Sequence, residues 1–286
     1  MVISNAQRAQ TLVEALPYIQ KYYGKVIVVK YGGNAMINEE LKHDVMRDMV
    51  LLNLIGVKVV LVHGGGPEIS AMLKRVGKES QFVNGLRVTD EETSEIVQMI
   101  LAGKINKSLV AKLDNLGGRA IGICGMDGGL IEARMIDPRL GYVGEIVQID
   151  PTPIHDLLSR GYIPVVSTIG CDASGHVYNI NADTAAASIA SALHAETLIS
   201  MTDTPGLLRD PKDPETLIRR LNLREAEHLK EDGVISGGMI PKVECCTRAI
   251  REGVRKVFII DGRVPHALLI ELLTDEGAGT LFVEEN

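Results

Sequence analysis

Runs of consecutive β-branched and aliphatic residues recur along this chain, and several end in glycine before a stripe of apolar residues at three-and-four spacing begins. Val26-Ile27-Val28-Val29 and Val59-Val60-Leu61-Val62 are the plainest of these runs. A strand that is apolar at every position, rather than at every second one, is covered by helices on both faces, as in a parallel sheet. Further strands are predicted over 119–124, 162–166, 197–201, 256–261 and 280–283, with hairpins in the glycine-rich stretch 126–148. Helical stripes fall at 39–55, from 67 onward, and at 90–116, 153–160, 183–194, 223–232, 239–252 and 265–273. Such alternation predicts an α/β fold, a mostly parallel open sheet sandwiched by helices.

One stripe precedes the first strand. Leu12, Val13, Leu16, Ile19 and Tyr23 share a helical face within residues 4–23, Ser4 or Asn5 can cap it, and Pro17 is expected to kink or break it. A helix so placed either covers the sheet or packs against another subunit. The expected organisation is an N-terminal helix over 1–24, one lobe over 25–178 and a second over 179–286. A length of 286 residues suits two lobes sharing one sheet.

Composition narrows the partners. Aromatic residues make up 3% with no Trp, the net charge is −7, and no basic run of five occurs, which argues against a nucleic-acid partner. No stretch of about 18 apolar residues is present to cross a membrane, and Arg8, Glu14 and Lys21 interrupt any signal-peptide core. A cytoplasmic or organelle-matrix location follows, cytoplasmic being the expectation. The cysteines at 124, 171, 245 and 246 form no CxxC pair and lack histidines at ligand spacing, so reduced, mostly buried thiols are expected and no zinc site. The remaining class of partner is a small molecule held by a few local cations.

Candidate chemistry gathers at strand ends. Lys30 closes the first strand and Tyr31-Gly32-Gly33 follows, placing an ammonium beside backbone N–H groups that no side chain shields. His63-Gly64-Gly65-Gly66-Pro67 repeats the device before a helix N-terminus that favours an anion. Neither the P-loop nor the dinucleotide fingerprint is matched. Lys242 sits in the first turns of a helix, where the dipole disfavours a cation, so either an anion lies nearby or the ammonium is simply solvated. Asp183 is either the N-cap of its helix or a tether for two ammonium groups. Arg87, flanked by Leu86 and Val88, calls for a carboxylate or phosphate to fork onto. Asn179 and Asn181 either face one side together or serve the turn before the helix. No histidine or carboxylate is visibly partnered as a general base.

Five motifs in order, Lys30-Tyr31-Gly32-Gly33, His63-Gly64-Gly65-Gly66-Pro67, Gly85-Leu86-Arg87-Val88-Thr89, Asn179-Ile180-Asn181-Ala182-Asp183 and Gly238-Met239-Ile240-Pro241-Lys242, resemble the amino acid kinase family, and within it the acetylglutamate kinases. The resemblance runs over residues 10–283 and implies the family's αβα fold. It implies that ATP, with Mg²⁺ held by phosphate oxygens and water, phosphorylates the γ-carboxylate of N-acetyl-L-glutamate in arginine biosynthesis. Lys30 and Lys242 would flank the moving phosphoryl group, Asp183 would orient them, and Gly32, Gly33 and Gly65 would bind its oxygens. Gly65, Gly66, Arg87, Asn179 and Asn181 would hold acetylglutamate. Asp203, Thr204, Gly206, Leu207, Leu208, Val234, Ile235 and Ser236 would hold the nucleotide. Arginine-inhibited members are similar also at Leu16-Pro17-Tyr18-Ile19 and from His266 to Thr280. That likeness implies inhibition by L-arginine at Tyr18, His266, Glu271 and Lys212, and a hexamer of dimers linked by N-terminal helices. The signalling protein PII binds some relatives. The rival expectations are a carbamate, aspartate or UMP kinase, and a non-catalytic sensor on the same fold.

Overall fold

The computed structural model describes residues 4–285, so residues 1–3 and 286, at the ends of the first and last expected segments, lie outside the described residues. The chain enters through α1 (Asn5–Glu14) and α2 (Leu16–Tyr22). Ser4 caps α1, its hydroxyl taking the Gln7 N–H while the Gln7 side chain takes the Ser4 N–H. The stripe over 4–23 is therefore two helices joined at Ala15, because Pro17 brings no N–H to continue a single one. No residue of α1 is buried, and Leu12 and Val13 are 75% and 63% exposed.

Beyond them the predicted alternation is present. In the first half come β1 (Val26–Tyr31), α3 (Glu39–Leu54), β2 (Lys58–His63) and α4 (Gly66–Arg75), then a small hairpin of β3 (Phe82–Val83) and β4 (Leu86–Arg87). The helix expected over 90–116 is continuous but not uniform: α5 (Glu91–Gln98) and α6 (Asn106–Asn115) are joined by a π-helical segment, Met99–Ile105. Next follow β5 (Ala120–Cys124), β6 (Ile131–Met135), β7 (Gly144–Ile149), α7 (Thr152–Ser159), β8 (Ile163–Ser167), β9 (Ile169–Cys171) and β10 (Val177–Asn179). The second half adds α8 (Ala182–Ala192), β11 (Thr197–Thr202), β12 (Arg220–Asn222), α9 (Leu223–Glu231), α10 (Met239–Arg251), β13 (Lys256–Asp261), α11 (Ala267–Leu273) and β14 (Gly279–Val283).

Eight strands form the main sheet in the order β12-β14-β13-β11-β1-β2-β8-β5. From β5 to β13 all neighbours are parallel, whereas β14 pairs antiparallel to β13 and the edge strand β12 runs parallel to β14. Successive residues of β1 and β2 feed opposite cores: Ile27, Val29, Val59 and Leu61 pack with α3, α4, α6 and α11, whereas Val28, Val60 and Val62 pack with α7 to α10. Helices thus bury both faces, which is why these strands do not alternate with polar residues. The region read as hairpins gives the β6–β7 pair, and β9 and β10 complete a separate four-stranded sheet. β3, β9, β10 and β12 have two or three residues each, too few to leave a period in the sequence. All four cysteines are free, with Cys246 buried and the other three partly so. Among the described residues no helix is long and apolar enough to cross a membrane.

Candidate functional site

The carboxyl end of β1 meets β11 in the middle of the sheet, Lys30 standing beside Ser200. Lys30 is 7% exposed. Asp183 reaches it from the first turn of α8, and Lys242 from the first turn of α10. Asp183 is not the N-cap: Asn181 caps α8, its Oδ1 accepting from the N–H groups of Asp183 at 2.9 Å and Thr184 at 3.1 Å. The Asp183 carboxylate is thereby free to bridge both cations, with Oδ1 3.0 Å from Lys30 Nζ and Oδ2 2.8 Å from Lys242 Nζ. Ser200 donates its hydroxyl to Oδ1 at 3.2 Å. Burial alone would raise the Asp183 carboxyl, but the two ammonium groups outweigh it and hold it well below the usual carboxylate range. Two cations and one anion leave one positive charge turned to the space above the sheet.

The glycines give that space its floor. A Cβ on Gly32 would lie 3.2 Å from Lys30 Nζ, and one on Gly33, where φ is +71°, would lie 2.5 Å from an Asp203 oxygen. Only glycine meets both demands at position 33. On β2's side, a Cβ on Gly65 would fall 2.2 Å from Ile105 Cδ1 of the π-helical segment, and one on Gly64 would come 3.2 Å from Ala182 Cβ.

Two cavities flank the cation pair. The larger, about 610 Å³, is lined by Lys30, Gly33 and Lys242 with Asp203, Thr204, Gly206, Leu207, Leu208, Val234 and Ser236. Ile235 is not among its walls; it is 2% exposed and packs into the core with α9 and α10. Pro211, Met239 and Arg263 also line this cavity, and sequence reading missed them. Arg263 forks onto Asp261 at 2.9 and 2.8 Å just past β13, and a charged pair at a parallel strand's carboxyl end was the available signal.

The smaller cavity, about 170 Å³, is lined by Gly64, Gly65, Gly66, Arg87, Asn179 and Asn181, with Phe82 and Thr168 also present. Arg87, at 6% exposure, donates to Ser80 Oγ, to Ser70 Oγ at 2.9 Å and to the Gly66 carbonyl at 3.0 Å, and it stacks 4.7 Å from the Phe82 ring centroid. Those partners are all neutral, and among the described residues no carboxylate comes within ion-pair distance of it. Burial pulls its pKa down, as expected of a guanidinium kept from water without an anion.

Residues expected to bind arginine are spread over two helices and a loop. Tyr18 on α2 bonds to Asp275, which raises its phenol pKa. Glu271 of α11 accepts the Ala278 N–H at 2.6 Å, and burial raises its carboxyl. His266 turns the other way: at φ +58° it heads α11 and meets the buried Asp48 of α3 at 2.6 Å. Lys212 lies exposed on the loop whose Pro211 lines the larger cavity, and no hydrogen bond or ion pair among the described residues joins it to the other three.

A parallel, helix-covered sheet with two lysines held across one carboxylate at its switch point defines an enzyme that draws anions together, as phosphotransferases must. The chain belongs to the amino acid kinase family, whose model matches residues 25–261. The acetylglutamate kinase of Brachyspira hyodysenteriae is 57% identical over 98% of both chains, and that of Clostridium beijerinckii is 53% identical over 98% of this chain and 99% of its own. Among solved structures, the N-acetylglutamate synthase of Neisseria gonorrhoeae, complexed with coenzyme A and N-acetyl-glutamate, superposes with a TM-score of 0.85 at 28% identity. The match covers 97% of this chain but 64% of that longer one. Carbamate kinase from Giardia lamblia bound to AMP-PNP, at TM-score 0.66 and 17% identity over 92% of this chain and 99% of its own, shares the fold.

Proposed function

We propose that this chain transfers the γ-phosphoryl group of ATP to the side-chain carboxylate of N-acetyl-L-glutamate, forming N-acetyl-L-glutamyl 5-phosphate in arginine biosynthesis. The observation that carries the reading is the Asp183 carboxylate bridging Lys30 and Lys242 between two cavities. Near-full-length similarity to proteins named acetylglutamate kinase selects the substrate.

The acceptor is a carboxylate with an ordinary pKa near 4.3, so it is ionised at neutral pH and needs no base. The obstacle is repulsion between that anion and a triphosphate. Lys30 and Lys242 lower it by flanking the transferring group, and Asp183 holds their ammonium groups apart and aimed. Gly32, Gly33 and Gly65 let phosphate oxygens reach backbone N–H groups. ATP occupies the larger cavity, with Arg263 added to its walls. Acetylglutamate occupies the smaller one, where its α-carboxylate supplies the anion that Arg87 lacks; Asn179 and Asn181 line the same space. Mg²⁺ is read as part of the nucleotide substrate, held by phosphate oxygens and water. Among the described residues no group of three or more His, Cys, Asp or Glu is placed to hold an ion. The lobes 25–178 and 179–286 meet along the β1–β11 pair in this reading.

ADP release should depend on acetylglutamate and fall at least tenfold when aspartate, carbamate or UMP replaces it. Faster turnover with one of those three would overturn the substrate assignment, and no turnover with any of the four would favour a sensor.

Regulation by L-arginine is proposed on a separate basis. Tyr18 and Glu271 lie on neighbouring parts of α2 and α11, and the gonococcal synthase, 26% identical here, has been solved with coenzyme A and L-arginine. The exposed apolar residues of α1 suit the helix pairing that would link dimers into a hexamer.

A further inference from the structure

His63 is 0% exposed at the end of β2, and nothing in the reaction described above uses it. Its surroundings are nevertheless built with care. Nδ1 lies 2.9 Å from the carbonyl oxygen of Gly64, and Nε2 lies 3.2 Å from the carboxamide nitrogen of Asn106. A carbonyl only accepts and an amide nitrogen only donates, so Nδ1 carries the proton and Nε2 accepts. Asn106 is itself 0% exposed and sits where the π-helical segment gives way to α6. The two hydrogens of that amide are shared among three acceptors, the ring and the carbonyls of Val165 at 2.8 Å and Ile123 at 3.2 Å, which tie it to β8 and β5. Room for this carboxamide exists because residue 122 on β5 is glycine: a Cβ there would fall 1.9 Å from Asn106 Oδ1. Lys107 closes the group, its ammonium 3.1 Å from Asn106 Oδ1 and 2.8 Å from the Gly122 carbonyl.

The arrangement fixes one peptide plane. In a trans peptide the C=O and the following N–H point in opposite directions. With the Gly64 carbonyl drawn toward the His63 ring, the Gly65 N–H is turned away from it, and Gly65 lines the smaller cavity. Free of such an anchor, a run of three glycines between a strand and a helix could rotate that plane at little cost.

We propose that His63 and Asn106 are positioning residues that hold the Gly64–Gly65 peptide with the Gly65 N–H presented to the transferring phosphoryl group. The inference rests on the phosphotransfer reading above. The ring acts as a neutral hydrogen-bonding strut, not as an acid or base. Burial, helped by the nearby Lys107 charge and opposed by the bond to Gly64, lowers its pKa to about 4, so it stays uncharged across the neutral range.

Two amide substitutions separate the roles of the ring atoms. Asn places a donor near the position of Nδ1, whereas Gln extends toward Nε2 and leaves the Gly64 carbonyl without its partner. His63→Asn should keep kcat within about fivefold of wild type. His63→Gln should lose roughly 10²-fold, the usual scale for one displaced transition-state donor, with both KM values nearly unchanged. Equal activity of the two, both folded by their melting temperatures, overturns the proposal. The pH–rate profile between 6 and 9 should be the same for wild type and His63→Asn; an inflection lost in the variant would make the ring an acid or base instead. Should His63→Gln not fold, Asn106→Ala gives a second measure, a roughly tenfold loss in kcat without loss of substrate affinity, and unchanged kcat overturns the idea. The ring's nitrogen-15 shifts are read on wild-type protein and need no activity. A neutral Nδ1–H tautomer from pH 5.5 to 8 is expected, and an Nε2–H tautomer overturns the anchor even where acetylglutamate proves not to be the substrate.

Discussion

One side chain, Asp183, decides what the two lysines can do. A carboxylate shared by two ammonium groups at 3.0 and 2.8 Å cannot neutralise both, so in the proposed reaction the cluster would meet an incoming phosphate with its excess charge already aimed. Lys242→Ala should lower kcat by roughly 10²–10³-fold while the KM for each substrate moves much less, because its contact strengthens as charge develops. Unchanged turnover in the purified variant would remove Lys242 from the chemistry. The lysines and the aspartate could be singled out in sequence because each sits at a strand or helix end where local rules gave no complete account of it. Their meeting could not be read, since Asp183 lies far along the chain from Lys30 and 59 positions from Lys242, and only the folded sheet brings the three together. Arg263 stayed hidden for the opposite reason: an arginine next to an aspartate after a strand looks like an ordinary surface pair.

Asp48 was illegible too. Burial raises its carboxyl pKa to about 6 from 3.8, against the pull of His266. Between those values the folded protein binds more protons than the unfolded chain. This carboxyl therefore makes stability fall as pH rises from about 4 to about 6, by at most about 1.4 kcal/mol per pH unit. Asp48→Asn should remove that component, seen as a smaller loss of guanidinium-measured stability between pH 4.5 and 6.5 than in wild type. Equal changes in both proteins would mean that Asp48 titrates normally.

At the scale of elements, long apolar runs announced themselves and short ones did not. β1 and β2 lie where their runs of Val, Ile and Leu placed them, since burial on both faces leaves an unbroken signature. The π-helical turn within 90–116 left no such mark, because widening a helix by one residue shifts the stripe without ending it. That turn nonetheless decides where Ile105 meets Gly65 and where Asn106 meets His63. α1 poses the converse case: its stripe is present but none of its residues is buried. Removing residues 1–24 should yield dimers by light scattering and weaken inhibition by arginine at least several-fold. A dimeric truncated enzyme with undiminished sensitivity would separate the helix from regulation.

For the whole molecule the important line is the single strand pair β1–β11, where strands from the first half of the chain end and those from the second half begin. Five motifs resembling one family made the αβα architecture legible at once, whereas periodicity alone supplied the layers without the strand order. Order depends on crossovers, and nothing local encodes them.

That line also imposes a sequence of events in time. β1, β2, β5 and β8 can pair while the second half of the chain is still emerging from the ribosome, but Lys30 must wait 171 residues for the carbonyl of Met201, and longer for Lys242. Until then a strand edge with a buried-type sequence stands open beside a lysine that has no counter-charge. The cluster of Lys30, Asp183 and Lys242 is therefore among the last parts of the protein to exist, and the half-made sheet is the form most exposed to mispairing with its neighbours.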